Sequence, residues 1–160
     1  MQTVAWLSSD ELVAWRTFLQ GATLLNETLD RDLQVHGVSL SEYDILVSLS
    51  EATGRRLRMS TLAQQVVQSR SRLTHTAARL ERRGWVQRRP APDDRRGVEL
   101  FLTDTGYAAI QALAPIHVAS VRRHLLDRIS LEQLQVMGEA MAVVRAGILG
   151  DLDDERLTGT

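Results

Sequence analysis

SRSRLTHTAARLERRGWVQRRPAPDDRRGVELFLTDTG, residues 69–106, is the stretch whose reading decides the fold. Ser69 stands where a helix N-cap belongs, and Leu73, Thr76 or Ala77, and Leu80 recur at helical spacing toward Arg83. Gly84 occupies the C′ position that ends such a helix. The period then changes. Trp85 to Arg89 is predicted as a strand, Pro90 to Gly97 as a turn and Val98 to Leu102 as a returning strand, with Val98, Leu100 and Leu102 on one face. An arginine-rich helix followed at once by a hairpin with a basic tip is the pattern of a helix and its wing.

Upstream, Ser60 is predicted to cap a short helix from Thr61 to about Val67, with Leu62, Ala63 and Val66 inward and a polar break at Gln68 and Ser69. Two short helices joined by a few residues form a helix-turn-helix. Before them, Ser41 with Asp44 is expected to start a helix that buries Tyr43, Ile45, Leu46 and Leu49 and stops before Gly54; Leu57 to Met59 is a candidate short strand. The first helix opens on a capping box, Ser8 with Glu11, and on Leu7 and Leu12 placed as a hydrophobic staple. Leu12, Trp15, Phe18, Ala22, Leu25, Leu29 and Leu33 make one apolar stripe, ended by Gly37. At roughly 28 residues it is too long for a small domain to cover, so part of the stripe is expected to pack on another chain. Downstream, Thr103 caps a long helix from Asp104, interrupted or bent at Pro115. Ser130 with Gln133 starts a last helix through Leu149, with Leu131, Leu134, Met137, Met141 and Val144 inward. Residues 151–160 are acidic and polar and are expected to fray as a flexible tail. The fold class is mostly α with a small β wing: a winged helix-turn-helix plus a helical dimerisation region.

Charge sharpens this reading. All nineteen basic residues are arginine, and twelve of them lie between Arg55 and Arg96 against three acids, a local charge of +9. The rest of the chain carries −10, so the overall −1 conceals a basic block in an acidic frame, one surface suited to a polyanion. There is no cysteine, hence no disulfide, thiol nucleophile or cysteine zinc site, which fits a cytoplasmic protein. Neither a signal peptide nor an apolar run of membrane-spanning length is visible. A hydrolase nucleophile elbow, a phosphate-binding glycine loop and a zinc-protease helix are all missing, so no enzyme and no cofactor is expected. His117 and His124 lie two turns apart on one helix with no acid convincingly beside them, so no metal site is expected either.

The succession Ser69-Arg70-Ser71-Arg72-Leu73-Thr74-His75, Arg79 to Val86, Asp93 to Gly97 and Leu102-Thr103-Asp104-Thr105-Gly106 resembles the multiple-antibiotic-resistance regulator (MarR) family of transcription factors. The resemblance covers nearly the whole chain, with residues 60–106 its specific part. It implies a homodimer whose first, fifth and sixth helices interdigitate while two winged lobes straddle a palindromic operator in double-stranded DNA. The chain then divides into an N-terminal dimerisation helix (1–37), a DNA-binding lobe (38–103), C-terminal dimerisation helices (104–150) and the tail. One departure is Val67, where many helix-turn-helix units have glycine. A β-branched residue resists positive φ, so the turn is expected to differ, with an extra residue as one way to do so.

On the recognition helix, Arg70, Ser71, Arg72, Thr74, His75 and Arg79 are expected outward or at the flanks, with Ser69 at the N-cap presenting backbone amides to a phosphate. Arg72 is the first choice for reading a guanine, Thr74 offers a methyl or hydroxyl, and His75 a phosphate donor. Arg82 and Arg83 suit the helix dipole, and Arg88 and Arg89 the flanking backbone. At the wing, Arg95 and Arg96 suit a narrow minor groove. The resemblance implies that Arg96 enters it and that Asp94 braces the wing. It also implies a repressor released by a small aromatic or phenolic effector; a ligand pocket between the first helix and the winged lobe has Trp15, Arg16, His36 and Tyr43 as its candidate ligand-binding lining. The alternative is a winged-helix interaction module whose basic face takes an acidic protein partner.

Overall fold

The computed structural model describes residues 4–92 and 94–158, and the side chains of all of these except 94–96 and 151–158. Helix α1 (Ser9–Gln34) begins at the expected capping box, with both Ser8–Glu11 hydrogen bonds in place. Its stripe has two fates. Leu29 and Leu33 are buried, whereas Trp15 is 50% and Phe18 41% exposed. Helix α2 (Leu40–Glu51) starts two residues earlier than the sequence suggested, because Ser39 and Glu42, rather than Ser41 and Asp44, form its capping box. Asp30 of α1 accepts from the Leu40 amide at 2.7 Å, so a second carboxylate closes the same helix end. The register moved because Ser-x-x-Glu at 39–42 satisfies two amides reciprocally.

A 3₁₀ turn (Thr53–Arg55) leads into β1 (Arg56–Arg58) and α3 (Met59–Gln65). Helix α3 is capped by Arg58 without a side-chain bond, so Ser60 is not its N-cap. Helix α4 (Arg70–Arg82) follows, then β2 (Val86–Ala91) and β3 (Asp94–Leu102). The sheet is antiparallel in the order β1-β3-β2, with Leu57 opposite Leu100 and Val86 opposite Leu102. The strands run further toward the tip than predicted, with a register shift between Pro90 and Ala91 that lets the ladder continue past the proline. The core beneath combines Leu33, Ile45, Leu46, Leu49, Leu62, Leu73, Leu80 and Leu100, each essentially inaccessible.

Helix α5 (Asp104–Val121) passes through Pro115 without interruption. The chain forms two compact units, Met1–Ser120 and Val121–Thr160. The second holds a π turn (Arg122–Leu126) and α6 (Leu131–Thr158), which opens on the expected Ser130–Gln133 capping box. Its helical backbone extends beyond the Leu149 end expected from sequence, since a single glycine at 150 and acidic residues weaken a helix without stopping it.

Where the wing joins α5, Thr103 fastens three segments. Its amide donates to the Trp85 carbonyl at 3.0 Å, its hydroxyl donates to the Gly84 carbonyl at 2.7 Å, and the same oxygen accepts from the Gly106 amide at 3.0 Å. This draws α5 so close to β2 that a Cβ on Gly106 would lie 2.1 Å from the Trp85 oxygen. Gly106→Ala is therefore expected to lower stability by about 3 kcal/mol or more, measured by urea denaturation, because backbone cannot move aside as a side chain can.

Candidate nucleic-acid interface

Helix α4, the expected recognition helix, is positioned by the turn before it. The Gln68 amide reaches back to the Ala63 carbonyl at 3.0 Å, with Val66 as C-cap, which is a Schellman closure. Val67 occupies its C′ position at φ +50°. The expected change of turn did not occur: the valine takes the left-handed conformation itself, at a cost of about 1–2 kcal/mol. The backbone bond to Ala63 is available only with that conformation, and it overrides the side chain's preference. Ser69 is the N-cap as expected, its hydroxyl accepting from the Arg72 amide at 3.2 Å.

Helix α4 has two clean faces. Leu73, Thr76, Ala77 and Leu80 are buried, which settles the Thr76-or-Ala77 choice as both. Arg70, Ser71, Arg72, Thr74, His75 and Arg79 are all exposed. They are differently engaged. Arg72 donates from Nη2 to the Ser41 hydroxyl at 3.3 Å, leaning toward the start of α2. Arg79 pairs with the buried carboxylate of Glu42, Nε to Oε1 3.2 Å, and so ties α4 to α2. Thr74 folds its hydroxyl back onto the Arg70 carbonyl at 2.8 Å, which leaves its methyl outward.

The other arginines divide the same way. Arg88, expected beside the DNA backbone, is a strut beneath α4. It donates to the Thr74 carbonyl at 2.8 Å and stands 3.7 Å from Glu81. Arg83 donates to the Gly37 carbonyl at 2.5 Å and covers the Trp85 ring. Arg56 and Arg89 lie over Phe101, 5.6 and 4.6 Å from the ring centroid. Sequence spacing could not separate struts from free cations, because an arginine's reach exceeds its position's. Arg58, Arg70 and Arg88 line one crevice between α3, α4 and the wing, a concentrated positive edge. Asp94, Arg95 and Arg96 head β3, but their side chains lie outside the described residues, as does Asp93 altogether.

Of the four candidate ligand residues, Tyr43 is buried and packs against His117 of α5 in a tilted arrangement, ring centroids 4.4 Å apart and planes 37° to each other. It lines a crevice with Asp44, Gln65, Val67 and His117, among others, and with none of the other three candidates. Trp15 stacks on Phe18 at 6.1 Å, while Arg16 and His36 are exposed. His117 was missed as a neighbour of Tyr43 because 74 positions separate them. Burial lowers its pKa and leaves Nδ1 without a partner among the described residues. Burial also pushes the Asp44 carboxyl up to about 6. No cluster of metal-binding side chains exists among the described residues, and no helix there is long and apolar enough to cross a membrane.

A two-faced basic helix set by a Schellman turn, backed by a three-stranded wing, defines a winged helix-turn-helix lobe of the DNA-binding class. Residues 38–98 match the MarR family model. The chain is 30% identical over 128 residues to the regulator PecS of Dickeya dadantii (strain 3937), covering 79% of this chain and 76% of that one. It is 26% identical over 151 residues to the transcriptional repressor MprA of Escherichia coli (strain K12), covering 82% and 86%. Among solved structures, Sco3205 of Streptomyces coelicolor, a MarR regulator in complex with DNA, is 43% identical with a TM-score of 0.87 over 92% of both chains. AbsC of the same organism is 41% identical with a TM-score of 0.86, over 92% of this chain and 99% of its own. The chain belongs to the MarR family of DNA-binding transcriptional regulators, and is not an enzyme.

The Asp44 carboxyl gives a pH signature. Its folded pKa is raised, so its contribution to stability is full below its ordinary 3.8 and is lost as pH rises through about 6. Asp44→Asn should remove that decline, making the variant more stable than the parent at pH 8 by about 1 kcal/mol after allowing for water on the carboxyl's open side. Thermal melts between pH 4 and 8 measure the difference.

Proposed function

We propose that this protein is a homodimeric, sequence-specific repressor that sets α4 in the major groove and its wing in the flanking minor groove of a palindromic operator. The observation that carries the reading is the exposed face of α4, where Arg70, Ser71, Arg72, Thr74 and His75 stand free of the core over the helix's first two turns. Ser69 already holds one amide of that helix end, and the remaining amides suit a phosphate. Arg72 is the guanine reader, held loosely by Ser41 and free to swing outward; Arg95 and Arg96 serve the wing tip, with Asp94 bracing it. The exposed half of the α1 stripe, Trp15 and Phe18 included, supports a partner chain over residues 1–37, and the helices of 104–150 contribute the rest. The Asp44–His117 crevice beside the α3–α4 turn supports release of DNA by a small molecule, and because Tyr43 lines it, Tyr43 is the favoured contact over Trp15, Arg16 and His36. Such a regulator works in the cytoplasm.

Fluorescence anisotropy against duplex upstream of its own gene, with a scrambled control, tests this. About four phosphate contacts per subunit give a log–log salt slope of about −7. Arg72→Ala should relax base preference at one position per half-site by about 1–3 kcal/mol, while Arg70→Ala weakens all duplexes alike. Equal, weak binding to both duplexes would instead favour an acidic protein partner.

A further inference from the structure

The α3–α4 turn concentrates two local costs. Val67 is held at φ +50°, and the Gln68 side-chain oxygen beside it is buried without a hydrogen-bond partner among the described residues. Glycine avoids the first cost, and glycine is what this C′ position most often holds. Within its own lobe the valine gains nothing in return, because it is 80% exposed. A strained residue whose side chain faces outward points to a contact outside the chain.

Its surroundings say which contact. Val67 borders a crevice that carries Ser69, Ser71, Arg72 and His75 of the opening turns of α4 on one side and the carboxylates of Glu27, Asp30 and Asp44 on the other, so its apolar group sits at the α4 edge of that crevice. An isopropyl group cannot bond to phosphate or to a base acceptor. On the major-groove floor, the apolar feature it can cover is the C5 methyl of thymine. We propose that Val67 is a specificity-determining residue that reads a thymine methyl at the edge of each operator half-site, and that the strain in its turn is tolerated for that contact. The proposal rests on α4 being the recognition helix.

Duplexes enriched from a random-sequence pool by the full-length protein supply the operator. Each thymine is then replaced singly by deoxyuridine, which lacks the methyl, and binding is compared for the parent, Val67→Gly and Val67→Ala. The parent should lose about fourfold at one thymine per half-site, the value of one buried methyl. Val67→Gly should bind the unmodified operator at least fourfold more weakly and lose nothing further at that deoxyuridine. Its melting temperature should equal or exceed the parent's, so weaker binding cannot be assigned to a damaged fold. Parental affinity and an unchanged deoxyuridine profile in Val67→Gly would overturn the proposal, as would a glycine variant less stable than the parent. Failure of the pool to enrich any sequence would overturn the DNA reading itself, a different result from the other two.

Discussion

The carboxylate of Glu42 serves two helices at once. One oxygen accepts from the Ser39 amide at 2.8 Å and closes the start of α2; the other meets Arg79 of α4 at 3.2 Å. Glu42 is itself buried, so its charge is acceptable only while both partners are present. The arginine side of the pair is half in water, and screening leaves little in simple attraction. What the arrangement secures is geometry. Helix α4 is fixed against α2 by this contact, tied to β2 by the Arg88 bond to the Thr74 carbonyl, and anchored by Leu73 and Leu80 in the core. Three links from three elements leave its outer face one orientation.

That rigidity explains where the costs of the fold are found. The leucine core is free of them, each core leucine being fully covered, whereas the sheet leaves Arg88 Nε and Glu99 Oε2 buried without a hydrogen-bond partner among the described residues. The strained backbone at Val67, the unpaired oxygen of Gln68, the unpaired nitrogen of His117 and the reluctant carboxyl of Asp44 all lie around the approach to α4 or the crevice beside it.

The two ends of α1 express a different constraint. Toward its C-terminus the stripe enters the lobe's core, and Asp32 accepts from Ser120 of α5 at 2.6 Å. Toward its N-terminus the same stripe faces outward, with Trp15 50% and Phe18 41% exposed. One helix thus carries an intramolecular and an unpartnered surface in a single amphipathic pattern. Periodicity alone shows that a face is apolar; how much of it the lobe can reach depends on the lobe's size.

Most of the architecture is legible in local signals. Ser8–Glu11, Ser69 and Ser130–Gln133 are caps that need only a few neighbouring residues, and Gly84 at φ +71° ends α4 for the same local reason. The change of period after Gly84 and the arginine block from Arg55 to Arg96 likewise stand in the sequence by itself, and with them the class of the protein. Local rules misjudged α2, where two serines competed for one cap, α3, which is capped by Arg58 without a side-chain bond, and Val67, where a backbone bond outweighed side-chain preference. Only the tertiary structure decided which arginines are struts, since Arg79 meets Glu42 across 37 positions and Arg83 meets Gly37 across 46. It alone brought Tyr43 to His117 and pressed Gly106 onto Trp85. Caps and periods act within one or two turns of chain, whereas the use of a long charged side chain is settled by what folding places within its reach.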